Sequence, residues 1–329
     1  MTDAPLRRFN PATRPPGLVL AGLMAIQCVL TASFAHAGAA LPAGKSKITL
    51  PLNGKPIDVF TYRPANFTNG PLLVVMHGKG RNADGYRDYA MPIADTFGML
   101  VATPFFDTNR FSTDVYQRGN VVKKSKVQPK EEWTYSYIPK LVAEIRRREG
   151  RPDMLYYLIG HSAGGQFNTR LAAFLPGEAV RIVAANPGSH LFPTRDLPFP
   201  YGFGELPAEL GGDDAIKRYL AAPLTLFLGT ADTLPKDLDV TPTAMKQGAT
   251  RIERGRNCFK LAESVAKKNG WPFGWRAVEA EGIGHSGAKM LGHPNAGVAL
   301  LGDKCLTEPP GKAALMKKGS ASAAAPNSR

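Results

Sequence analysis

Cysteine is scarce in this chain of 329 residues: there are three, and Cys28 lies in an apolar N-terminal stretch. The two that remain, Cys258 and Cys305, are too few for a disulfide-built scaffold. Neither has the histidine neighbours that a zinc site or an activated thiol requires, so metal-centred and cysteine-nucleophile chemistry are set aside. Histidine is sparse as well, six in all, so a search for an imidazole base can proceed by elimination. Acidic residues number 27 against 41 lysines and arginines, a formal charge of +14. No recognition motif for nucleic acid accompanies that charge, and no segment repeats, so a nucleic-acid-binding module and a solenoid are both unsupported.

What is present begins with basic Arg7, Arg8 and Arg14, an apolar stretch from Gly17 to Phe34, and Ala35-His36-Ala37. These are the three parts of an export signal, and they predict cleavage after Ala37 and a periplasmic or secreted mature protein. Retention as a membrane anchor is the alternative, since the apolar stretch is close to the roughly 18 residues a span needs. Export would bring Cys258 and Cys305 into oxidising conditions in which they can pair. At the other end, residues 311–329 form an Ala/Ser-rich, lysine-bearing tail that reads as disordered. The stretch 38–310 between them is of a size for one domain with a sizeable core. Lys123, Lys124, Lys126 and Lys130, with Arg146-Arg147-Arg148, keep this part basic and favour weak association with anionic envelope surfaces.

Within 38–310, short apolar runs alternate with helical periodicities, which predicts an α/β fold with a mostly parallel sheet covered by helices on both faces. Predicted strands are Ile48 to Leu52, Ile57 to Tyr62, Leu72 to Met76, Leu100 to Thr103, Leu155 to Ile159, Ile182 to Ala185, Leu224 to Leu228 and Trp275 to Val278. Helices are expected near Asp84 to Phe97, Ile138 to Arg148 and Gln166 to Phe174, and a long loop before Trp133. Residues 186–222, rich in proline and aromatics, interrupt the alternation and are a candidate cap whose Phe192, Phe199, Tyr201 and Phe203 would wall a substrate.

The chemistry centres on Gly160-His161-Ser162-Ala163-Gly164, which follows a predicted buried strand and precedes a predicted helix. A sharp strand-to-helix turn that holds a serine hydroxyl clear of the backbone needs small flanking residues, and Gly160, Gly164 and Gly165 supply them. A serine is a weak nucleophile until an imidazole accepts its proton and a carboxylate fixes the imidazole tautomer. Asp232 follows the strand Leu224 to Leu228, with Asp237 and Asp239 as rivals in the same loop. His285 follows the strand Trp275 to Val278. Among other histidines, His161 is expected to point away from the nucleophile, His77 lies in an early loop and His293 in the final helical region, which leaves His190 as the rival. Developing charge on a substrate oxygen needs preorganised N–H donors, assigned to the Ala163 amide and, in the loop after Met76, to the Lys79 amide. Candidate substrate-binding residues are His77, Asp107, Tyr116, Asn120, His190 and Tyr201. No step of this chemistry needs a metal or an organic cofactor.

Val75-Met76-His77-Gly78, the Gly160 to Gly165 elbow, Gly229-Thr230-Ala231-Asp232 and Gly284-His285-Ser286 together resemble the α/β-hydrolase superfamily over roughly Leu72 to Leu301. Within it, the chain is most similar to exported esterases related to polyhydroxybutyrate depolymerases and feruloyl esterases. The resemblance implies an α/β-hydrolase fold and a serine hydrolase that cleaves carboxylic esters, small or polymeric, with hydroxyalkanoate and aromatic esters as candidate substrates. A serine peptidase of the same fold and a non-catalytic basic envelope-binding protein are the alternatives.

Overall fold

The structure is a computed structural model that describes residues 39–303. The export segment 1–37, Cys305 and the tail 311–329 lie outside the described residues, as does the proposed pairing of Cys305 with Cys258. Cys258 itself is fully buried, and burial pushes its thiol pKa up.

Eight strands form one mixed sheet: β1 (Gly44–Leu52), β2 (Lys55–Arg63), β3 (Leu72–Met76), β4 (Leu100–Pro104), β5 (Tyr156–His161), β6 (Arg181–Ala185), β7 (Leu224–Gly229) and β8 (Arg276–Ala280). Their order is β1-β2-β4-β3-β5-β6-β7-β8, with β2 antiparallel to both neighbours and every other pair parallel. β1 and β2 are joined by the two residues Asn53 and Gly54, both left-handed at φ 52° and 68°, the backbone a tight hairpin requires.

The central strands β3 to β7 are buried at nearly every position because both of their faces are covered, and the alternation of side chains assigns their apolar residues to one of two cores. On one face, Leu72, Val74 and Met76 join Leu158, Ile182, Ala184 and Leu226 under α2 (Tyr137–Arg148), α3 (Ala163–Phe174), α4 (Asp213–Ala221) and α5 (Arg251–Asn269). On the other, Leu73 and Val75 join Ile159, Val183 and Phe227 under α1 (Ala83–Phe97) and α6 (Asn295–Leu301). The α1 helix stops where Gly98 turns left-handed at φ 61°.

Residues 186–222 pack into the first core: the Phe203 ring lies 6.0 Å from Phe174 of α3 and 5.6 Å from Tyr219 of α4. The stretch between β4 and α2, predicted as a plain loop, instead carries a short helix at Thr113–Gln117 capped by Ser112, and a hairpin pairing Val122–Lys123 with Lys126–Val127. Among the described residues no helix is long and apolar enough to cross a membrane.

Candidate active site

Lys79, Ser162, Asn186, Asp232 and His285 each follow the C-terminal end of a parallel strand. Between β5 and α3, Ser162 holds φ 57° and ψ −114°, a conformation that costs a non-glycine residue on the order of 1–3 kcal/mol. The turn closes only around hydrogens. A Cβ on Gly160 would stand 2.4 Å from the Gly164 carbonyl oxygen, and one on Gly164 would stand 2.2 Å from the Met76 oxygen, both contacts with backbone that has no room to yield. The Ser162 amide donates to the Ala185 oxygen at 2.9 Å, which ties the elbow to the next strand.

The hydroxyl so presented lies 3.0 Å from Nε2 of His285, and Nδ1 of the same ring lies 2.7 Å from Oδ2 of Asp232. Asp232 is 1% exposed and accepts only, so Nδ1 carries the hydrogen and Nε2 is left with its lone pair facing Ser162. The rival acids are engaged elsewhere. Asp237 receives Lys79 Nζ at 2.6 Å, and Asp239 accepts from the Tyr201 hydroxyl and from the Thr241 amide at 2.9 Å.

Two buried polar residues that the sequence pattern does not disclose hold this row in place. Arg251, in the first turn of α5 behind a Thr250–Glu253 cap, donates to Asp232 Oδ1 at 3.4 Å and to the Leu234 and Lys236 oxygens at 3.1 and 2.6 Å. Burial lowers the pKa of its guanidinium, and the Asp232 charge opposes that shift. Asn186, just past β6 with φ 43°, accepts from the Gly229 amide at 2.7 Å and donates to the Gly284 oxygen at 3.3 Å. It thus bridges the loop of Asp232 to the loop of His285. His161 corrects its expectation in part: it makes no bond to Ser162, yet its ring centroid lies 4.7 Å from that of His285. Its Nδ1 is hydrogen-bonded to the Tyr86 hydroxyl at 2.9 Å, and burial holds its pKa well below the usual imidazole range.

Lys79 and Ala163 line one cleft of about 670 Å³ with Ser162, and among the described residues neither backbone amide donates to another group. The N-terminus of α3 adds its dipole at the same point. The loop carrying Lys79 is braced from below. His77 Nε2 accepts from the Phe106 amide at 3.1 Å, so its Nδ1–H donates to the Gly78 oxygen at 3.0 Å, and the Tyr116 hydroxyl donates to the His77 oxygen at 2.8 Å.

These contacts correct several sequence assignments. His77 and Tyr116 are fully buried and brace the Lys79 loop instead of lining the cleft. Burial puts the His77 pKa at about 4. His190 is fully buried too, held through its backbone by Gln247 at 3.0 and 2.6 Å, with burial lowering its pKa to about 3. Asn120 donates to the Glu132 oxygen at 3.2 Å and does not line the cleft. Asp107 binds Arg110 and lines an adjoining hollow of about 660 Å³. Tyr201 does line the cleft, with Gln166, Gly188, Ser189, Asp237 and Leu238. Among the described residues no cluster of histidine, cysteine and carboxylate side chains is placed to hold a metal ion.

No protein-family profile and no curated protein sequence matches the chain. Solved structures do. The LpqC poly(3-hydroxybutyrate) depolymerase of Bordetella parapertussis is 34% identical with a TM-score of 0.71, over 76% of this chain and 88% of that one. Poly(aspartic acid) hydrolase-1 of Sphingomonas sp. KT-1 is 35% identical with a TM-score of 0.72, over 76% of this chain and 96% of that one.

Proposed function

Since the chain belongs to the α/β-hydrolase family, we propose that it is a serine hydrolase that cleaves carboxylic esters through an acyl-enzyme. The observation that carries the proposal is the unbroken row from Ser162 through His285 to the buried Asp232, at 3.0 and 2.7 Å. In the first step Ser162 Oγ attacks the ester carbonyl carbon while His285 Nε2 takes the hydroxyl proton. Asp232 stabilises the imidazolium that forms, and the Lys79 and Ala163 amides receive the oxyanion. The tetrahedral adduct then expels the alkoxide, which leaves with the proton from Nε2. Water enters, gives a proton to the same nitrogen and attacks the acyl carbon, and the carboxylic acid departs as Ser162 regains its hydrogen. Apart from the ester and the water, every group in these steps belongs to the chain.

The cleft supports a polar substrate. Beside Ser162 it presents Lys79, Gln166, Ser189, Asp237 and Asp239, with Leu238 as a rare aliphatic side chain, which suits short oxygen-rich acyl units better than long alkyl chains. The name of one relative, a depolymerase of poly(3-hydroxybutyrate), favours hydroxyalkanoate oligomers over aromatic esters as the class to try first, while that of the other, a hydrolase of poly(aspartic acid), names an amide-linked polymer and makes amides the next class to try. We also propose export through the segment 1–37 and weak binding to anionic surfaces through the hairpin bearing Lys123, Lys124 and Lys126. Residues 186–222 then act as a cleft wall, through Gly188, Ser189 and Tyr201, rather than as a free cap.

The test is Ser162→Ala on the purified mature protein with short p-nitrophenyl esters, where a fall on the order of 10⁶ in kcat is expected. Undiminished turnover would overturn the assignment. A wild-type protein labelled by a fluorophosphonate that cleaves peptides and no ester would favour a peptidase, and one that takes no label would favour a binding protein.

A further inference from the structure

Gln166 sits one helical turn beyond Ser162, its amide donating to the Ser162 oxygen at 2.9 Å, and its half-buried side chain lines the cleft. The orientation of its carboxamide is set by a chain of donors that begins at Arg170. That arginine is fully buried and can only donate: Nη1 gives to the Gln166 oxygen at 3.0 Å, and Nη2 gives to the Pro200 oxygen at 2.9 Å and to Ser189 Oγ at 3.1 Å. A serine oxygen that receives from a guanidinium keeps its own hydrogen to give. It gives it to Gln166 Oε1 at 2.8 Å.

With Oε1 turned to Ser189, the amino group of the carboxamide must turn the other way, towards Gly188. A Cβ on Gly188 would stand 3.1 Å from Nε2, so the absence of a side chain there leaves that nitrogen its room. Gly188 is itself fixed, because Arg254 Nη1 donates to its oxygen at 2.7 Å. Among the described residues Nε2 has no acceptor, and it is not sealed from the cleft as the buried unpartnered polar atoms are. In the reverse carboxamide orientation Nε2 would donate to Ser189 Oγ, which already receives from Arg170, and among the described residues the Ser189 hydroxyl has no bonded acceptor other than Gln166. The polarity of the relay therefore leaves two neutral N–H donors beside Gly188, in the cleft that Ser162 also lines.

We propose that Gln166 is a specificity-determining residue that binds a second oxygen acceptor on the acyl part of the substrate, a hydroxyl or a further ester carbonyl close to the scissile one. The assignment rests on the ester-hydrolase reading above and narrows its substrate class to hydroxyacyl and oligoester substrates over plain alkanoyl esters. The carboxamide is neutral, and the cleft it lines carries Lys79, Arg81 and Arg118 as well as Asp237 and Asp239, so its contribution is a directed hydrogen bond to an oxygen and not a charge preference.

The experiment compares p-nitrophenyl butyrate with p-nitrophenyl 3-hydroxybutyrate on the wild type, Gln166→Met and Gln166→Glu. Methionine keeps the length and removes the donors; glutamate puts an acceptor where the donors were. The wild type is expected to prefer the hydroxyacyl ester. Gln166→Met should lower that preference in kcat/KM by roughly 3- to 10-fold, mostly through KM, the loss of one neutral hydrogen bond. Gln166→Glu should lower it further. A wild type with no preference, or variants that slow both esters equally, would overturn the assignment and leave ester hydrolysis standing. A wild type that cleaves neither ester would overturn the ester reading, and the Gln166 role with it.

Discussion

Lowering the pH from 7 to 5 is expected to remove at least about 4 kcal/mol of folding stability, because three histidines are buried as neutral rings. Burial is the leading cause of the lowered pKa at all three: His77 falls to about 4, His190 to about 3 and His161 well below its ordinary value. His77 also cannot accept a proton without turning a second N–H against the Phe106 amide that it now receives. In the unfolded chain each ring regains a pKa near 6.5. The unfolded state therefore binds more protons than the folded state below that value. The stability in question is complete above about pH 6.5 and is lost as the pH falls towards the folded pKa, at up to about 1.4 kcal/mol per ring and per pH unit. Between pH 7 and pH 5 this amounts to roughly 2 kcal/mol for each of His77 and His190, with His161 acting in the same direction, against a total stability of about 5–15 kcal/mol for an ordinary domain. The depressed carboxylates act in a lower window: Glu144, held at about 2 by Arg147 and Arg148, loses its contribution only as the pH falls below about 4.5. Urea unfolding followed by tryptophan fluorescence at pH 7, 6 and 5 reads the slope directly. His190→Leu, which removes a ring whose two nitrogens have no hydrogen-bond partner among the described residues, should lessen the loss by roughly 2 kcal/mol over the same interval. An unchanged urea midpoint between pH 7 and pH 5 would refute the account.

Two further variants address the braces of the site. Asn186→Ala removes the bonds to Gly229 and Gly284 and should lower kcat on the order of 10- to 100-fold with little change in KM, because the acid and base loops are then no longer held to each other. Steady-state kinetics and fluorophosphonate labelling should fall together, and Asn186→Asp, which keeps the acceptor, should recover part of the loss. Arg251→Met leaves the Asp232 carboxylate buried without its counter-charge and two loop carbonyls without their donor, at a cost of about 3–5 kcal/mol by chemical denaturation. Arg251→Lys should rescue little of this, since one ammonium cannot reach three acceptors spread along a planar fork.

The residues of the proposed site that would act through their own chemical type were legible in the sequence. A serine between glycines after an apolar run, an aspartate after one strand and a histidine after the next carry their positions in the local pattern, since a buried parallel strand is a continuous apolar run and its end is marked by a change of composition. Even there the edge blurs. The last strand, expected at Trp275 to Val278, runs from Arg276 to Ala280, because a strand at the sheet margin with exposed residues lacks the apolar signature of β3. The short helix and hairpin inside the stretch before Trp133 were invisible for a related reason: such brief elements are held by tertiary contacts and caps, not by their own periodicity.

Residues that act by bonding to backbone were not legible, and the errors run in both directions. His77, Tyr116 and His190 look functional as polar side chains in loops near strand ends, yet they are fully buried among backbone partners and apolar neighbours. Asn186, Arg251 and Gln166 look unremarkable, and their importance comes from distant partners: Asn186 reaches Gly284 across 98 positions of sequence. A partial signal did exist for Asn186, since asparagine tolerates the left-handed backbone better than most residues and stands directly after a strand in line with the elbow. No such signal exists for Gln166. Its donor faces the cleft only because Arg170 can donate and cannot accept, a constraint passed through the Ser189 hydroxyl from a residue that never meets the substrate. Specificity at that position is therefore a property of the direction of the relay and not of the glutamine alone, so a related chain that kept Gln166 and lost Arg170 would not be expected to share it.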